Sequence, residues 1–372
     1  MKAIGFTKSL PIEALDSFIE FETAKPVATG KYLLIKIKAI SINPIDYKIR
    51  QNSAKDTLLT EPKIIGWDAC GTVEAVGDSV SLFKVGDEVF YAGDITKSGC
   101  NAEYQLIDER IAGHKPVKLS NAEAAAMPLT ALTAWEILFD RLGINADKDS
   151  GKTILLIAGA GGVGSIAIQL AKKVAGLKVI ATASRPQTIE CCKQMGADVI
   201  VNHKNLVHEM QAAGFKEVDY IADFADVNYY WDAMATLIKP QGHIASITGS
   251  AIPVALNKLK NKSASFSWEF MFTRSMYQTE DMIEQHHILN KISSMLDSGI
   301  LKSTLPLITM VPYLPTILTS AIKIIISIFL ILIWYIHCNL LREALSILYG
   351  KMQLPPATWH YNRVILKTLA TP

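Results

Sequence analysis

The sequence predicts an α/β protein built of two units, a β-rich unit with the turn spacing of a small barrel and a doubly wound parallel sheet. Three observations carry that prediction. The chain has 372 residues, 50% apolar and 19% charged, a globular composition long enough for about two domains. Its first ~120 residues break short apolar runs with Gly, Pro, Asn and Asp, the punctuation of β structure. Beyond Asn121, strand-like and helix-like segments alternate, the order that builds a parallel sheet.

Composition also excludes partners. The formal net charge is +2, and no Lys/Arg block is long enough to follow a nucleic-acid backbone. The five cysteines, Cys70, Cys100, Cys191, Cys192 and Cys338, form no C-x-x-C pair, and a chain with a sizeable core has no need of disulfides. The N-terminal MKAIGFTKSLPIEALDSF lacks a secretory apolar stretch. A cytoplasmic location is the expectation.

The elements follow in order. KYLLIKIKAI, Lys31 to Ile40, alternates Ile35 and Ile37 with Lys36 and Lys38, as a strand with one wet face does. Gly66, Gly71, Gly77, Gly86 and Gly93 recur at barrel-turn spacing. NAEAAAMPLTALTAWEILFDRLG then reads as helix, with Asn121 able to cap its start and Gly143 to end it. TILLI, Thr153 to Ile157, is nearly all apolar, which suits a parallel strand buried on both faces.

Gly159, Gly161 and Gly164 follow as G-x-G-x-x-G, and Val163, Ile166, Ala167, Leu170 and Ala171 continue at helical spacing. One glycine permits a tight turn, the next lets backbone approach a pyrophosphate, and the third lets helix and strand pack closely. With Gly162 and Val163 inside the turn, the segment predicts a dinucleotide site. KVIATAS, Lys178 to Ser184, is the next strand, and it ends on Ser184 and Arg185 rather than on a carboxylate. An acid there reads the ribose hydroxyls of NAD; a hydroxyl and a guanidinium pair with a 2′-phosphate, so NADPH is the expected cofactor. Ala197–His203, Asp219–Asp226 and Gly242–Ser250 complete the βα series, which sets Asn202, His203, Asp223, Phe224 and Thr248 at strand ends lining the cofactor groove.

INPIDYKIR, IIGWDACGTVEAVG, VGDEVFY, PLTALTAWEIL and AGAGGVG, in that order, resemble the medium-chain dehydrogenase/reductase superfamily, in particular its quinone oxidoreductase branch and zinc-type alcohol dehydrogenase-like relatives. The resemblance runs from Met1 to about Leu305, SASFSWEFMFTRSMYQTEDMIEQH included. It implies a GroES-like, partly open β-barrel catalytic domain over 1–125, a Rossmann NADPH-binding domain over 126–262, and a C-terminal completion over 263–372. The zinc-using branch carries Cys, His and Glu where Asn43, Trp67 and Asp68 stand here, and it adds a four-cysteine structural cluster absent from this chain. No metal is therefore expected. Asp68 reads instead as a hydrogen-bonding group beside the nicotinamide cleft.

Without a metal to polarise an alcohol, hydride transfer to a conjugated carbonyl or quinone is the easier chemistry, because the developing charge moves to an oxygen that hydrogen bonds can stabilise. The resemblance turns the Asn43–Arg50 segment toward nicotinamide and substrate, with Tyr47 or a water as proton donor. Asp46 and Arg50, spaced i and i+4, also suit a helical ion pair. The resemblance puts Thr133 near the cofactor. Trp67, Trp268, Phe270 and Phe272 would wall a pocket for a small carbonyl or quinone substrate, and a homodimer is implied. A zinc-dependent alcohol dehydrogenase and a non-catalytic NADPH-binding protein are the competing readings.

The resemblance ends near Leu305. LREAL and NRVILK look like remnants of the family's closing helix and strand, and between Lys323 and Arg342 lies the uncharged run Ile324 to Leu341. At the lower length limit of a membrane span, that run reads as a buried strand, a membrane segment or an aberrant terminus. Its apolar core, Ile324 to Ile336, is about 20 Å long as a helix, which favours the first.

Overall fold

The computed structural model describes residues 1–304, together with the backbone of two short strands at 309–310 and 365–368. The N-terminal unit is antiparallel. Strand β1 (Lys2–Phe6) lies between β2 (Ile19–Glu22) and β4 (Lys63–Ile64), and the ten-residue β3 (Tyr32–Ser41) is the hub of a larger sheet. β3 pairs with β5 (Asp68–Val76) and β7 (Tyr104–Asp108); β5 continues to β6 (Glu88–Tyr91) and β6 to β8 (Ala112–His114). Leu33, Ile35 and Ile37 of β3 are buried while Lys36 and Lys38 are partly exposed, as the alternation predicts. Where β3 bulges against β5, a Cβ on Gly71 would stand 2.4 Å from the Lys36 carbonyl oxygen, so that crossing requires glycine. The register ends with Ser41 opposite Asp68. That pairing brings the start of α1 (Pro44–Ser53) beside the Trp67–Asp68 corner.

The predicted helix from Asn121 is three pieces. Ser120, not Asn121, is its cap, accepting the Glu123 N–H and returning its own N–H to the Glu123 carboxylate. α2 (Asn121–Ala125) stops before Pro128, α3 (Pro128–Trp135) restarts there, and a six-residue π-turn over Glu136–Arg141 follows, closed by the Leu142 N–H on the Ile137 carbonyl. Gly143 ends the run at φ +64°. The short α4 (Ala146–Asp149) leads into the second unit.

There β9 (Thr153–Ile157), α5 (Gly162–Lys173), β10 (Lys178–Thr182), α6 (Pro186–Met195), β11 (Val199–Val201), α7 (Leu206–Ala212), β12 (Val218–Asp223), α8 (Val227–Leu237) and β13 (Ile238–Ser246) alternate strictly. After α9 (Asn257–Lys260), β14 (Ser265–Trp268) completes a six-stranded parallel sheet ordered β11-β10-β9-β12-β13-β14. This is the doubly wound arrangement. Leu155, Ile157 and Ile180 face one helix layer and Ile154, Leu156 and Val179 the other, which is why these strands are apolar on both sides. The strand order reverses between β9 and β12, the crevice where such sheets bind ligands.

α10 (Thr273–Tyr277) and α11 (Glu284–Asp297) return the chain to the barrel, where α11 packs on β8. β15 (Thr309–Met310) runs parallel to β16 (Ile365–Thr368), and β16 pairs with β3 through Lys367–Ile40. The end of NRVILK thus joins the barrel sheet. LREAL and the run from Ile324 to Leu341 lie outside the described residues. Among the described residues no helix is long and apolar enough to cross a membrane.

Candidate active site

Asn43 stands just before α1, and its Nδ2 donates to Asp68 Oδ2 at 2.9 Å. The backbone N–H of Leu129, in the first turn of α3, donates to Asp68 Oδ1 at 3.0 Å. Asp68 therefore ties three elements, β5, α1 and α3, and its negative end faces a helix N-terminus. It is fully buried. Burial pushes its carboxyl well above the usual carboxylate range, and the Asn43 and Leu129 hydrogen bonds pull against that shift. Asp68 has no exposed surface of its own, and its side-chain partner is Asn43.

Asp46 does not pair with Arg50. Its Oδ2 accepts the Asn43 N–H at 2.6 Å, and burial raises its pKa to about 6. Arg50 instead reaches back to the Leu10 and Ser17 carbonyls and stacks over the Phe18 ring. The i,i+4 spacing permits a pair, but two carbonyls brought near by the fold offer Arg50 more. Tyr47, one helical turn from Asn43, is half exposed. Thr133 is buried and donates its hydroxyl to the Leu129 carbonyl at 2.7 Å.

The four aromatic candidates divide. Trp67 and Phe272 are buried and meet edge to face, with ring centres 6.5 Å apart, whereas Trp268 and Phe270 are 46% and 41% exposed. Phe270 leans on Phe272 at 5.6 Å. Phe270 thus adjoins the buried Trp67–Phe272 pair, while Trp268 meets the Phe266 ring edge to face at 4.8 Å.

The glycine turn lies at the carboxyl end of β9. A Cβ on Gly164 would stand 2.4 Å from the Ala158 carbonyl oxygen, and one on Gly159 2.8 Å from the Ala181 Cβ, so packing explains both glycines. Gly161 differs: its nearest contact would be an ordinary 3.4 Å, and its φ is −73°. Among the described residues nothing demands glycine there, and the space could take a pyrophosphate on the α5 N-terminus, beside Gly162 and Val163. Ala158 holds φ +65°, a strained conformation for a residue with a Cβ at a ligand-binding turn.

Ser184 and Arg185 are exposed just past β10; Ser184, with Ala183, Ile189, Lys193 and Asn202, lines a groove of about 380 Å³, and Arg185 is not among its lining residues. Lys193, on α6 and nine residues past Ser184, is a further cation on that groove, and nothing at the strand end itself signals it. His203 meets the Tyr230 hydroxyl at 3.3 Å, and Phe224 is partly buried beyond β12. Asp223 is buried. It accepts from Ser246 and Thr248 hydroxyls on one oxygen and from the Ala225 and Asp226 N–H groups on the other, so it knits two loops rather than facing the groove.

Family models match two stretches, the alcohol dehydrogenase GroES-like domain over residues 30–127 and the zinc-binding dehydrogenase domain over 162–285. A zinc-type alcohol dehydrogenase-like protein of Staphylococcus epidermidis is 44% identical over 307 residues, covering 82% of this chain and 90% of its own. A 2-methylene-furan-3-one reductase of Solanum lycopersicum is 35% identical over 265 residues, 68% of this chain and 63% of the relative. Among solved structures, a putative zinc-dependent alcohol dehydrogenase of Rhizobium etli superposes with TM-score 0.77 at 42% identity, covering 85% of this chain and 90% of that one. The Escherichia coli quinone oxidoreductase complexed with NADPH superposes with TM-score 0.69 at 25% identity, covering 84% and 93%. The chain belongs to the medium-chain dehydrogenase/reductase superfamily, with a GroES-like domain and a Rossmann sheet, and is an oxidoreductase of that type.

Zinc, implied by the family descriptions, does not fit these residues. Among the described residues no group of three or more His, Cys, Asp or Glu side chains is placed to hold a metal ion. Cys70 lies against the Asn121 side chain and Cys100 against the Asp68 carbonyl, each at 3.6 Å, while both Asp68 carboxylate oxygens are engaged. A tetrahedral site needs three or four converging donors.

Proposed function

We propose that the protein is an NADPH-dependent reductase that delivers hydride to a quinone or an α,β-unsaturated carbonyl without catalytic zinc. The observation that carries this reading is the Asn43–Asp68–Leu129 arrangement, in which both carboxylate oxygens already accept hydrogen bonds, from the Asn43 amide and the Leu129 N–H, rather than stand ready for a metal ion. Asn43 keeps a second amide N–H for an enolate or quinolate oxygen. Tyr47, exposed one turn along, or a water supplies the proton.

NADPH, when bound, supplies the hydride. The Gly159–Gly164 turn and the α5 N-terminus hold its pyrophosphate. Ser184 and Arg185 read the 2′-phosphate, with Lys193 on the groove that Ser184 lines. Thr133, His203, Phe224 and Thr248 border the rest, and Trp268 and Phe270 present the apolar wall. The names of the tomato reductase and of the NADPH-complexed quinone oxidoreductase support this chemistry. The test is NADPH oxidation with a panel of quinones, enones and saturated ketones. Turnover confined to the first two classes is expected, and alcohol oxidation dependent on added zinc would favour the dehydrogenase reading.

A further inference from the structure

Where α11 packs on the barrel strand β8, glycine brings the two backbones close: a Cβ on Gly113 would stand 2.5 Å from the Leu289 Cβ. Three hydrogen bonds cross the contact beside it. His286 Nδ1 lies 2.7 Å from the Ala112 carbonyl oxygen, Asn290 Nδ2 lies 2.9 Å from His286 Nε2, and Asn290 Oδ1 takes the His114 N–H at 2.9 Å. His286 and Asn290 stand one helical turn apart, so both side chains meet the same strand.

Counting donors and acceptors fixes the state of the imidazole. The Ala112 carbonyl only accepts, so Nδ1 carries a proton. The His114 backbone N–H only donates, so it faces the amide oxygen of Asn290 and leaves the amide nitrogen pointing at His286. Nε2 must then accept, and a neutral ring with its proton on Nδ1 is the one form that satisfies all three partners. A second proton, on Nε2, sets N–H against N–H. Turning the amide over moves the same conflict onto the His114 N–H.

We propose that the His286–Asn290 pair is an acid-sensitive latch: neutral His286 holds α11 on β8, and uptake of a proton at Nε2 breaks the chain of hydrogen bonds and loosens the first half of the helix from the barrel. The surroundings favour the neutral ring. His286 is 9% exposed, with the Phe83 ring edge-on at 5.5 Å. Burial, the largest influence, lowers its pKa; the Ala112 carbonyl opposes that shift, His287 on α11 and His114 on β8 reinforce it, and Glu109 in the turn before β8 opposes it again. Glu109 Oε2 is already taken by the Ser81 and Leu82 N–H groups at 2.8 Å. The far end of α11 has its own anchor, Asp297, whose carboxylate accepts the Val117 and Lys118 N–H groups at 3.1 and 2.9 Å. Hence the latch governs residues 284–290. Its helix also packs on α3, which carries Thr133.

Stability then depends on pH with a definite sign. A histidine whose folded pKa lies below its unfolded value of about 6.5 contributes stability that is full above that value and is lost as pH falls toward the folded one. The experiment compares urea unfolding of the full chain with that of Asn290→Asp from pH 8 to pH 5. Aspartate offers one oxygen to the His114 N–H and the other to a protonated His286, so the variant accepts the proton that wild type refuses. The unfolding constant of wild type divided by that of the variant should rise by up to about tenfold per pH unit below about 6.5. A constant ratio overturns the latch. Hydrogen exchange of wild type alone, corrected for the chemical rate, decides the matter if the variant does not fold: peptides covering residues 284–290 should lose protection over the same window more steeply than peptides of β9. Equal loss in both, or none in either, also overturns it.

Discussion

Asn43 and Asp68 meet side chain to side chain at 2.9 Å because the β3–β5 register ends two residues before Asn43, with Ser41 opposite Asp68. Leu129 closes the other carboxylate oxygen from a third element. The clamp sets the start of α1, which carries Tyr47, against the start of α3, which carries Thr133.

Removing the carboxylate should therefore cost stability as well as activity. Asp68→Ala orphans two buried donors at about 1–3 kcal/mol each, and a loss of about 2–5 kcal/mol in urea unfolding is expected. Asp68→Asn keeps one acceptor and should lose less. An alanine variant as stable as wild type would remove the clamp from this reading.

Asp46 gives stability a pH dependence. Its pKa is raised from 3.8 to about 6 in the folded protein, so the folded state binds more protons than the unfolded one between those values. Stability is lost as pH rises through that window, by about 3 kcal/mol at most. Asp46→Asn does not titrate, and its stability relative to wild type should climb between pH 4 and pH 7. Parallel stability curves would contradict the assignment.

Gly161 and Gly164 should fail differently. Gly161→Val meets little within the fold but fills the pyrophosphate space, so melting temperature should hold while NADPH binding by calorimetry disappears. Gly164→Ala drives a Cβ onto the Ala158 carbonyl and should destabilise the fold itself. Tight NADPH binding by the valine variant would mean that the turn serves packing alone.

Arg185→Asp should weaken NADPH more than tenfold, about 1.4 kcal/mol or more, and leave NADH nearly unchanged. Equal losses for the two cofactors, measured by fluorescence titration, would take the 2′-phosphate away from Arg185.

Local chemistry made part of this molecule legible from sequence. The TILLI strand, the glycine turn and the βα alternation depend on neighbours a few residues away, and they stand in the structure as read. The exposed Ser184 and Arg185 just past β10 follow from the same alternation. What escaped depends on contacts distant along the chain. Arg50 passes over Asp46 for carbonyls at Leu10 and Ser17, and Trp67 is sealed by Phe272. Ser120 outcompeted Asn121 as a cap because only Ser120 has Glu123 three residues on.

The most direct test of the reductase assignment is NADPH oxidation by purified full-length protein against a quinone and an enone, with zinc measured in the same sample. Turnover that persists at far less than one zinc per chain, and that does not change after chelation, is the expected result. Activity that scales with bound zinc and runs on alcohols would contradict it.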